Sequence, residues 1–443
     1  MNYQETVEFL YSKLPMFSRQ GTAAYKKDLH NTIALLESLD HPERKFKSVH
    51  IAGTNGKGSS SHLLAAIFQS AGYKTGLYTS PHLYDFRERI KINGDMVSED
   101  FVIEFVQTCL PTIENIEPSF FEVTVAMAFA WFAKQQVDIA IIEVGLGGRL
   151  DSTNVITPEI SVITQIGKDH INMLGNTLSA IAFEKAGIIK QGVPVVIGEI
   201  HPETKPVFEE QAQLKQASLL FAEDYLPIID IKQHSNSLDV TFKHSFLQPT
   251  TYTCDLPGWY QARNMRTVLT TTHILRELGW NLHEEAVRTG LSNSKSINGL
   301  LGRWEVLQSK PTVIADVGHN EDGIKVILEQ LSKSTYKHLH IVFGMAKDKE
   351  IENVLQLLPK HATYYFTQAS IPRALDAHVL REMAINHKLE GTTILSVNQA
   401  LTTAMQQASK DDLILVCGSI FIVAEIDRTI FQQSNLTATA PEK

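Results

Sequence analysis

An apolar, β-branched run ending at Ala52 passes directly into Gly53-Thr54-Asn55-Gly56-Lys57-Gly58, and from there into the helix-period stretch Ser60–Ile67. A strand that turns through glycines into a helix belongs to α/β architecture. Such a turn gathers successive backbone N–H groups around an anion, and the helix N-terminus adds its positive dipole. Lys57 is placed to reach outer phosphates, and a hydroxyl beside it to face Mg2+. The spacing departs from the Walker A pattern at two positions. Ile51 stands where the first glycine falls, and Gly58 takes the Ser/Thr place after the lysine. The strand–turn–helix context still predicts a nucleotide.

A chain of 443 residues is long for one domain, so two or three are expected. With 43% hydrophobic and 20% charged residues it has the material for an ordinary core. The formal net charge of −9 argues against wholesale nucleic-acid binding, which needs a basic face, but leaves room for a local basic pocket. Cys109, Cys254 and Cys417 are far apart and lack metal-ligand spacing, which fits a reducing compartment. The N-terminus lacks the basic and apolar regions of a secretory signal, and no apolar run approaches a bilayer span. These features predict a cytoplasmic protein without membrane association.

Strands are expected at Ser48–Ala52, Thr75–Thr79, Asp138–Val144, Ile160–Gln165 and Pro194–Gly198, with helix-period segments at Phe120–Gln135 and Leu178–Ile189 between them. This alternation predicts a mostly parallel sheet covered by helices. Residues His234 to Leu256 read as a β-hairpin at the domain edge, followed by a helix from Ala262 to Gly279. The polar stretch Ser292–Gly299 reads as a linker, placing one domain at 1–296 and a second at 297–443. In the second, strands at Thr312–Val317, His338–Phe343, Ala362–Thr367 and Leu413–Cys417 alternate with helices such as Gly323–Leu331 and Asn398–Ser409, a smaller Rossmann-like α/β domain. The last residues, Thr437 to Lys443, are expected to fray.

Polar segments follow several strands, where open α/β sheets place ligands. They are Tyr78–Leu83, Glu143–Asp151, Lys168-Asp169-His170 and, in the second half, Ala315–Asn320. Glu143, backed by glycines, is the best carboxylate for Mg2+, which takes one or two protein carboxylates plus phosphate oxygens. His170 is the weaker candidate, since a lone histidine is usually structural or solvent-facing and imidazole suits transition metals better than magnesium. Lys185 reads as a surface or ion-paired lysine beside Glu184. Arg303 fits phosphate recognition or an exposed interdomain position equally well. Gly418-Ser419 offers a further anion position at a helix start.

Taken together, His50–Ser59, Thr79–Leu83, Phe121-Glu122, Glu143–Asp151, Asp169-His170, Glu184–Ile188 and Asp316–Asn320 resemble the folylpolyglutamate synthase/dihydrofolate synthase family of the Mur-ligase superfamily. The blocks follow family order and cover about residues 45 to 425, and Gly58 is itself the family's variant of the loop. The resemblance implies an N-terminal P-loop ATPase-type domain, a C-terminal Rossmann-like ligase domain, and an ATP-dependent ligase. That ligase adds L-glutamate to a reduced folate, and to dihydropteroate, through an acyl phosphate.

By the same resemblance Gly53, Thr54, Asn55, Gly56, Lys57, Gly58, Ser59, Asn264, Arg303 and Asp316 hold ATP. Ser80 and Glu143 hold one Mg2+, while Glu143, His170 and a carbamylated Lys185 serve a second. A carbamate resolves the difficulty of an ammonium beside Mg2+. His82, Phe121, Arg149 and Asp151 would meet the folate. His319 lies at the reacting phosphoryl group, with Lys57 and Lys185 as its catalytic partners, and His319 and Ser419 reach glutamate. A monomer is implied, closing on ATP about residues 292–302. The rivals are another Mur-type amino-acid ligase, disfavoured because only about 50 residues precede the phosphate loop, and a P-loop ATPase without ligase activity.

Overall fold

The computed structural model describes residues 1–16, 28–243 and 248–431. The expected fraying of Thr437 to Lys443 falls outside these residues. The chain divides into two compact units between Leu300 and Leu301.

The first unit is built on an eight-stranded sheet: β1 (Lys47–Ala52), β2 (Thr75–Tyr78), β3 (Ile90–Ile92), β4 (Asp95–Met96), β5 (Ile139–Glu143), β6 (Ile160–Ile163), β7 (Val195–Ile197) and β8 (Leu219–Phe221). Their order is β4-β3-β2-β5-β1-β6-β7-β8. The run from β2 to β8 is parallel, and β3 and β4 add an antiparallel edge. β1 and β5 are almost wholly buried, as expected when helices cover both faces of a parallel sheet. Side chains alternate across it. Ile139 and Ile141 join the core formed with the helices Lys57–Ser70 and Gln261–Glu277, while Ala140 and Ile142 join the core formed with Glu99–Ile116 and Phe120–Lys134. The chain leaves β1 toward β2 on one side and returns past it to β6 on the other, so the switch point lies at the carboxyl end of β1.

The expected edge hairpin is a three-stranded antiparallel sheet of β9 (Ile228–Gln233), β10 (Leu238–Phe242) and β11 (Thr250–Cys254). Its first strand lies before the segment read as β from sequence. Asp230 and Lys232 break the apolar pattern there, whereas Leu238, Val240 and Phe242 are buried and show it plainly.

The stretch Ser292–Gly299 is not a linker. Residues Ser294–Asn298 form a helix inside the first unit. Asp255 accepts from Ser294 Oγ at 2.5 Å and Lys295 N at 2.6 Å. Asn298 donates to the His62 carbonyl at 2.8 Å, accepts from Gln69 Nε2 at 2.7 Å, and its own carbonyl takes Lys91 Nζ at 2.7 Å. Polar composition here reflects buried, satisfied hydrogen bonding rather than solvent exposure. Residues 292–298 are therefore a fixed part of the first unit rather than a pivot.

The second unit holds β12 (Glu305–Ser309), β13 (Thr312–Ala315), β14 (Leu339–Phe343), β15 (Thr363–Phe366), β16 (Gly391–Thr393) and β17 (Leu413–Cys417), ordered β12-β13-β17-β14-β15-β16. All neighbours are parallel except the edge strand β12. This is the Rossmann-like arrangement expected, with short strands β12 and β16 added at its two edges.

Candidate active site

The carboxyl ends of β1, β2, β5 and β6 converge around residues 53–57. Gly56 is left-handed at φ 88°, and the helix Lys57–Ser70 starts at the next residue. The turn is braced from β6: Thr164 Oγ1 donates to the Asn55 carbonyl at 2.7 Å, Thr54 N to the Gln165 carbonyl at 2.6 Å, and Asn55 Nδ2 to Gln165 Oε1 at 3.2 Å. Asn264 comes so close that a Cβ on Gly56 would lie 2.4 Å from its Oδ1, and a Cβ on Gly53 would lie 1.9 Å from Thr164 Oγ1. Gly53→Ala therefore forces a rigid, hydrogen-bonded hydroxyl aside. A loss of about 1–3 kcal/mol is expected, read as a lower Tm together with weakened ADP binding. An unchanged melt with unchanged ADP affinity would refute this packing account.

Lys57 donates to the carbonyls of Gly53 at 3.0 Å and Thr54 at 3.2 Å, within its own loop. Lys185, on the helix Leu178–Ala186, also reaches the Gly53 carbonyl, at 2.8 Å. It is 4% exposed, so the surface reading of this lysine is wrong. The salt bridge belongs instead to Glu184, which pairs with Arg149 at 2.8 Å. Burial, reinforced by the charge of Lys57, pushes the Lys185 ammonium down to about 7.

Glu143 ends β5 beside β1, 4% exposed, and its Oε2 accepts from Ser80 N at 3.2 Å. Ser80 follows the end of β2, so the two predicted ligands of one Mg2+ are neighbours. His170 is left-handed at φ 52°, with Nε2 3.8 Å from Asp169 Oδ1. Among the described residues no three His, Cys, Asp or Glu side chains form a metal cage by themselves. Magnesium bound to nucleotide needs no such cage, because phosphate oxygens and water complete its shell. The buried Glu143 carboxylate next to Ser80 fits that requirement. Lys185 as a free amine does not, and as a carbamate it would.

The loop after Glu143 is locked onto the helix bearing Lys185. A Cβ on Gly148 would fall within 3.0 Å of Lys185 main-chain atoms, and one on Gly187 would fall 2.3 Å from Arg149 Cβ. Phe121 packs over Gly145, whose Cβ would meet its ring at 2.4 Å. Asp151 is 3% exposed and accepts from Leu146 N at 2.8 Å and Thr153 N at 2.9 Å. Glu122 forms a capping box with Ser119 at the start of the helix Phe120–Lys134. His82 uses both ring nitrogens within the protein. Nδ1 accepts from Arg89 Nε at 2.8 Å, and Nε2 lies 3.2 Å from Tyr11 Oη. Burial and the Arg89 guanidinium push it down to about 3, so it is neutral.

The second unit has its own cluster at the carboxyl ends of β13 and β17. Asp316 accepts from Trp304 N at 2.8 Å and Gly318 N at 2.9 Å, which folds the turn carrying Arg303 against it. The ring Nδ1 of His319 donates to the Val317 carbonyl at 2.9 Å, fixing the proton there. Gly418 N donates to the Gly318 carbonyl at 3.1 Å and joins the two strand ends. Ser419 caps the five-residue helix Ile420–Ala424 through Phe421 N, so its oxygen is already engaged. Thr164, Gln165, Tyr11 and Arg89 were missed from sequence. Thr164 and Gln165 at least carry a signal, as polar residues directly following the apolar pair Val162-Ile163.

Two family matches overlay these units: the Mur ligase middle domain over residues 51–272 and the glutamate ligase domain of Mur ligases over residues 302–420. Fold and site thus define a Mur-type ligase, an ATP-dependent enzyme that forms a C–N bond with glutamate. The dihydrofolate synthase/folylpolyglutamate synthase of Bacillus subtilis is 31% identical over 97% of this chain and 99% of its own. A solved structure of Escherichia coli FolC in complex with DHPP and ADP superposes with a TM-score of 0.84 at 28% identity, covering 99% of both chains. Mycobacterium tuberculosis folylpolyglutamate synthase, solved with ADP and AMPPCP, gives a TM-score of 0.84 at 29% identity, covering 97% of this chain and 99% of that one. The chain belongs to the folylpolyglutamate synthase/dihydrofolate synthase family. Among the described residues no helix is long and apolar enough to cross a membrane.

Proposed function

We propose that this enzyme adds L-glutamate to a reduced folate and also to dihydropteroate, working as a cytoplasmic monomer on small-molecule substrates. The observation that carries the reading is the convergence of Lys57, Ser80, Glu143 and Lys185 at one end of the first sheet, with the Phe121 ring over the adjoining Gly145. A carboxylate is a poor electrophile at neutral pH. Transfer of the γ-phosphoryl group of ATP to a carboxylate oxygen releases ADP and creates a leaving group. The glutamate amine then attacks the carbonyl carbon: the C–N bond forms, the C–O bond to phosphate breaks, and the amine gives up a proton.

The loop N–H groups of residues 53–59 and Lys57 hold the phosphates, with Asn264, Arg303 and Asp316 gripping the rest of the nucleotide. Magnesium, held by Ser80 and Glu143 with a second ion served by Glu143, His170 and Lys185, would neutralise phosphate charge. Positioning supplies much of the remaining rate in phosphoryl transfer. Phe121 offers a flat ring to the pterin, flanked by His82, Arg149 and Asp151. By the family resemblance, His319 would act at the reacting phosphoryl group and, with Ser419, on the incoming glutamate.

The buried setting of Lys185 supports its proposed carbamylation. Its neutral Nζ adds to CO2, an N–C bond forms and a proton leaves, giving carboxylate oxygens where an ammonium would repel the metal. Only the neutral amine reacts, so carbamylation should fall as pH drops below about 7. Lys185→Ala is expected to lose activity and to regain part of it with short carboxylic acids. Rescue by no such acid would count against the carbamate.

Purified protein with ATP, Mg2+ and labelled glutamate, offered dihydropteroate and tetrahydrofolate in separate tubes, tests the whole reading. ADP release that depends on glutamate and on the folate supports it. ADP release indifferent to both would identify an ATPase instead.

A further inference from the structure

His50 has no place in the chemistry described so far. It lies on β1, three residues before Gly53, and is 0% exposed. Its register partners on the flanking strands are Ile142 and Ser161. An aliphatic side chain would suit such a position, yet a polar ring is held there with Nδ1 lacking any hydrogen-bond partner among the described residues. Burying a polar atom unpaired is unfavourable, so the other nitrogen has a use.

That nitrogen, Nε2, lies 2.9 Å from Thr153 Oγ1, and Thr153 Oγ1 lies 2.5 Å from Asp151 Oδ1. The polarity of this chain is fixed by its end. Burial raises the Asp151 carboxyl above its usual range, but Leu146 N on Oδ2, Thr153 N on Oδ1 and a further backbone bond from Gly145 all donate to it and favour an acceptor-only carboxylate. With Asp151 ionised, Thr153 donates its single proton to that carboxylate and accepts from His50, which places the histidine proton on Nε2. Burial, aided by Lys190, keeps the ring neutral. Lys190 is itself anchored to the Asn154 carbonyl at 2.8 Å.

We propose that His50 and Thr153 are positioning residues: a one-way hydrogen-bond relay from the phosphate-loop strand that holds Asp151, and with it the Gly145–Asp151 loop, in register with Glu143 and Lys185. The inference rests on the ligase reading above. The loop it fixes begins two residues after Glu143, carries the Phe121 ring on Gly145 and abuts Lys185 through Gly148. The relay thus ties the strand that delivers the phosphate loop to the segment that delivers metal and folate contacts. Groups that orient metal ligands in this way typically change metal affinity or activity by 10–100-fold when removed.

Two substitution pairs in the full-length enzyme test it. Thr153→Val and His50→Leu break the relay at nearly constant volume, while Thr153→Ser and His50→Gln keep the donor. The breaking variants should raise both the Mg2+ concentration for half-maximal ligation and the KM for the folate roughly tenfold or more, and leave metal-free ADP affinity unchanged. The conservative variants should restore both constants. A change in Tm alone, with both constants at wild-type values, overturns the proposal. So does failure of Ser and Gln to rescue.

Nitrogen-15 histidine spectra of the unmutated protein give a second reading independent of mutant folding. His50, assigned by the resonance lost in His50→Gln, should be a neutral Nε2–H tautomer, and an Nδ1–H tautomer or an imidazolium overturns the relay. Loss of folate dependence in the wild-type protein would instead fail the ligase reading, and the tautomer would still decide the relay.

Discussion

Glu143→Gln should abolish most ligation while leaving the fold intact. Glutamine preserves the volume of this buried side chain and can still accept from Ser80 N, so the packing at the end of β5 survives. What disappears is a full negative charge at the proposed site where a divalent cation would meet phosphate oxygens. Metal-centred charge stabilisation contributes several kcal/mol to such reactions, and about 1.4 kcal/mol corresponds to tenfold. A fall of roughly 10²–10³ in kcat is therefore expected. Labelled-glutamate incorporation, run beside a thermal melt, measures it. Turnover close to wild type at saturating Mg2+ would remove Glu143 from the metal site.

Lys57→Ala should lose a comparable amount, on the order of 10²-fold or more, for a different reason. Lys57 opens the helix Lys57–Ser70 and is only partly buried, and alanine is the better helix former, so stability should change little. Its hydrogen bonds to Gly53 and Thr54 keep the ammonium curled over the loop, where phosphate would take it up. The same substitution removes a neighbouring positive charge from Lys185, whose ammonium then becomes easier to hold and whose neutral fraction shrinks. The variant should thus lose carbamylation as well as phosphate contact, visible as a smaller mass shift on Lys185 in bicarbonate. Ligation at near wild-type rates would contradict the assignment of Lys57 to the phosphates.

Much of this site could be read from residue order because its chemistry is carried by strand ends. β1, β2, β5 and β6 are short apolar runs followed at once by polar residues, and such junctions are visible in any sequence. Lys185 could not be judged in that way. Its neighbour Glu184 suggested an ion pair, yet successive helical residues face different directions, and it is Arg149 that takes Glu184 while Lys185 turns inward. Thr164 carries two glycines of the phosphate loop on its side chain, a tertiary fact that no local pattern announces. The segment 294–298 misled because buried polar residues with mutual partners have the composition of an exposed connector. The strand Ile228–Gln233 escaped notice because an edge strand half open to water has no clean alternation.

Because Gly148 and Gly187 let two stretches of main chain touch with nothing between them, the supports of Glu143 and Lys185 behave as a single casting. A methyl group at either glycine would wedge them apart and separate Glu143 from Lys185, the two side chains proposed to serve one ion.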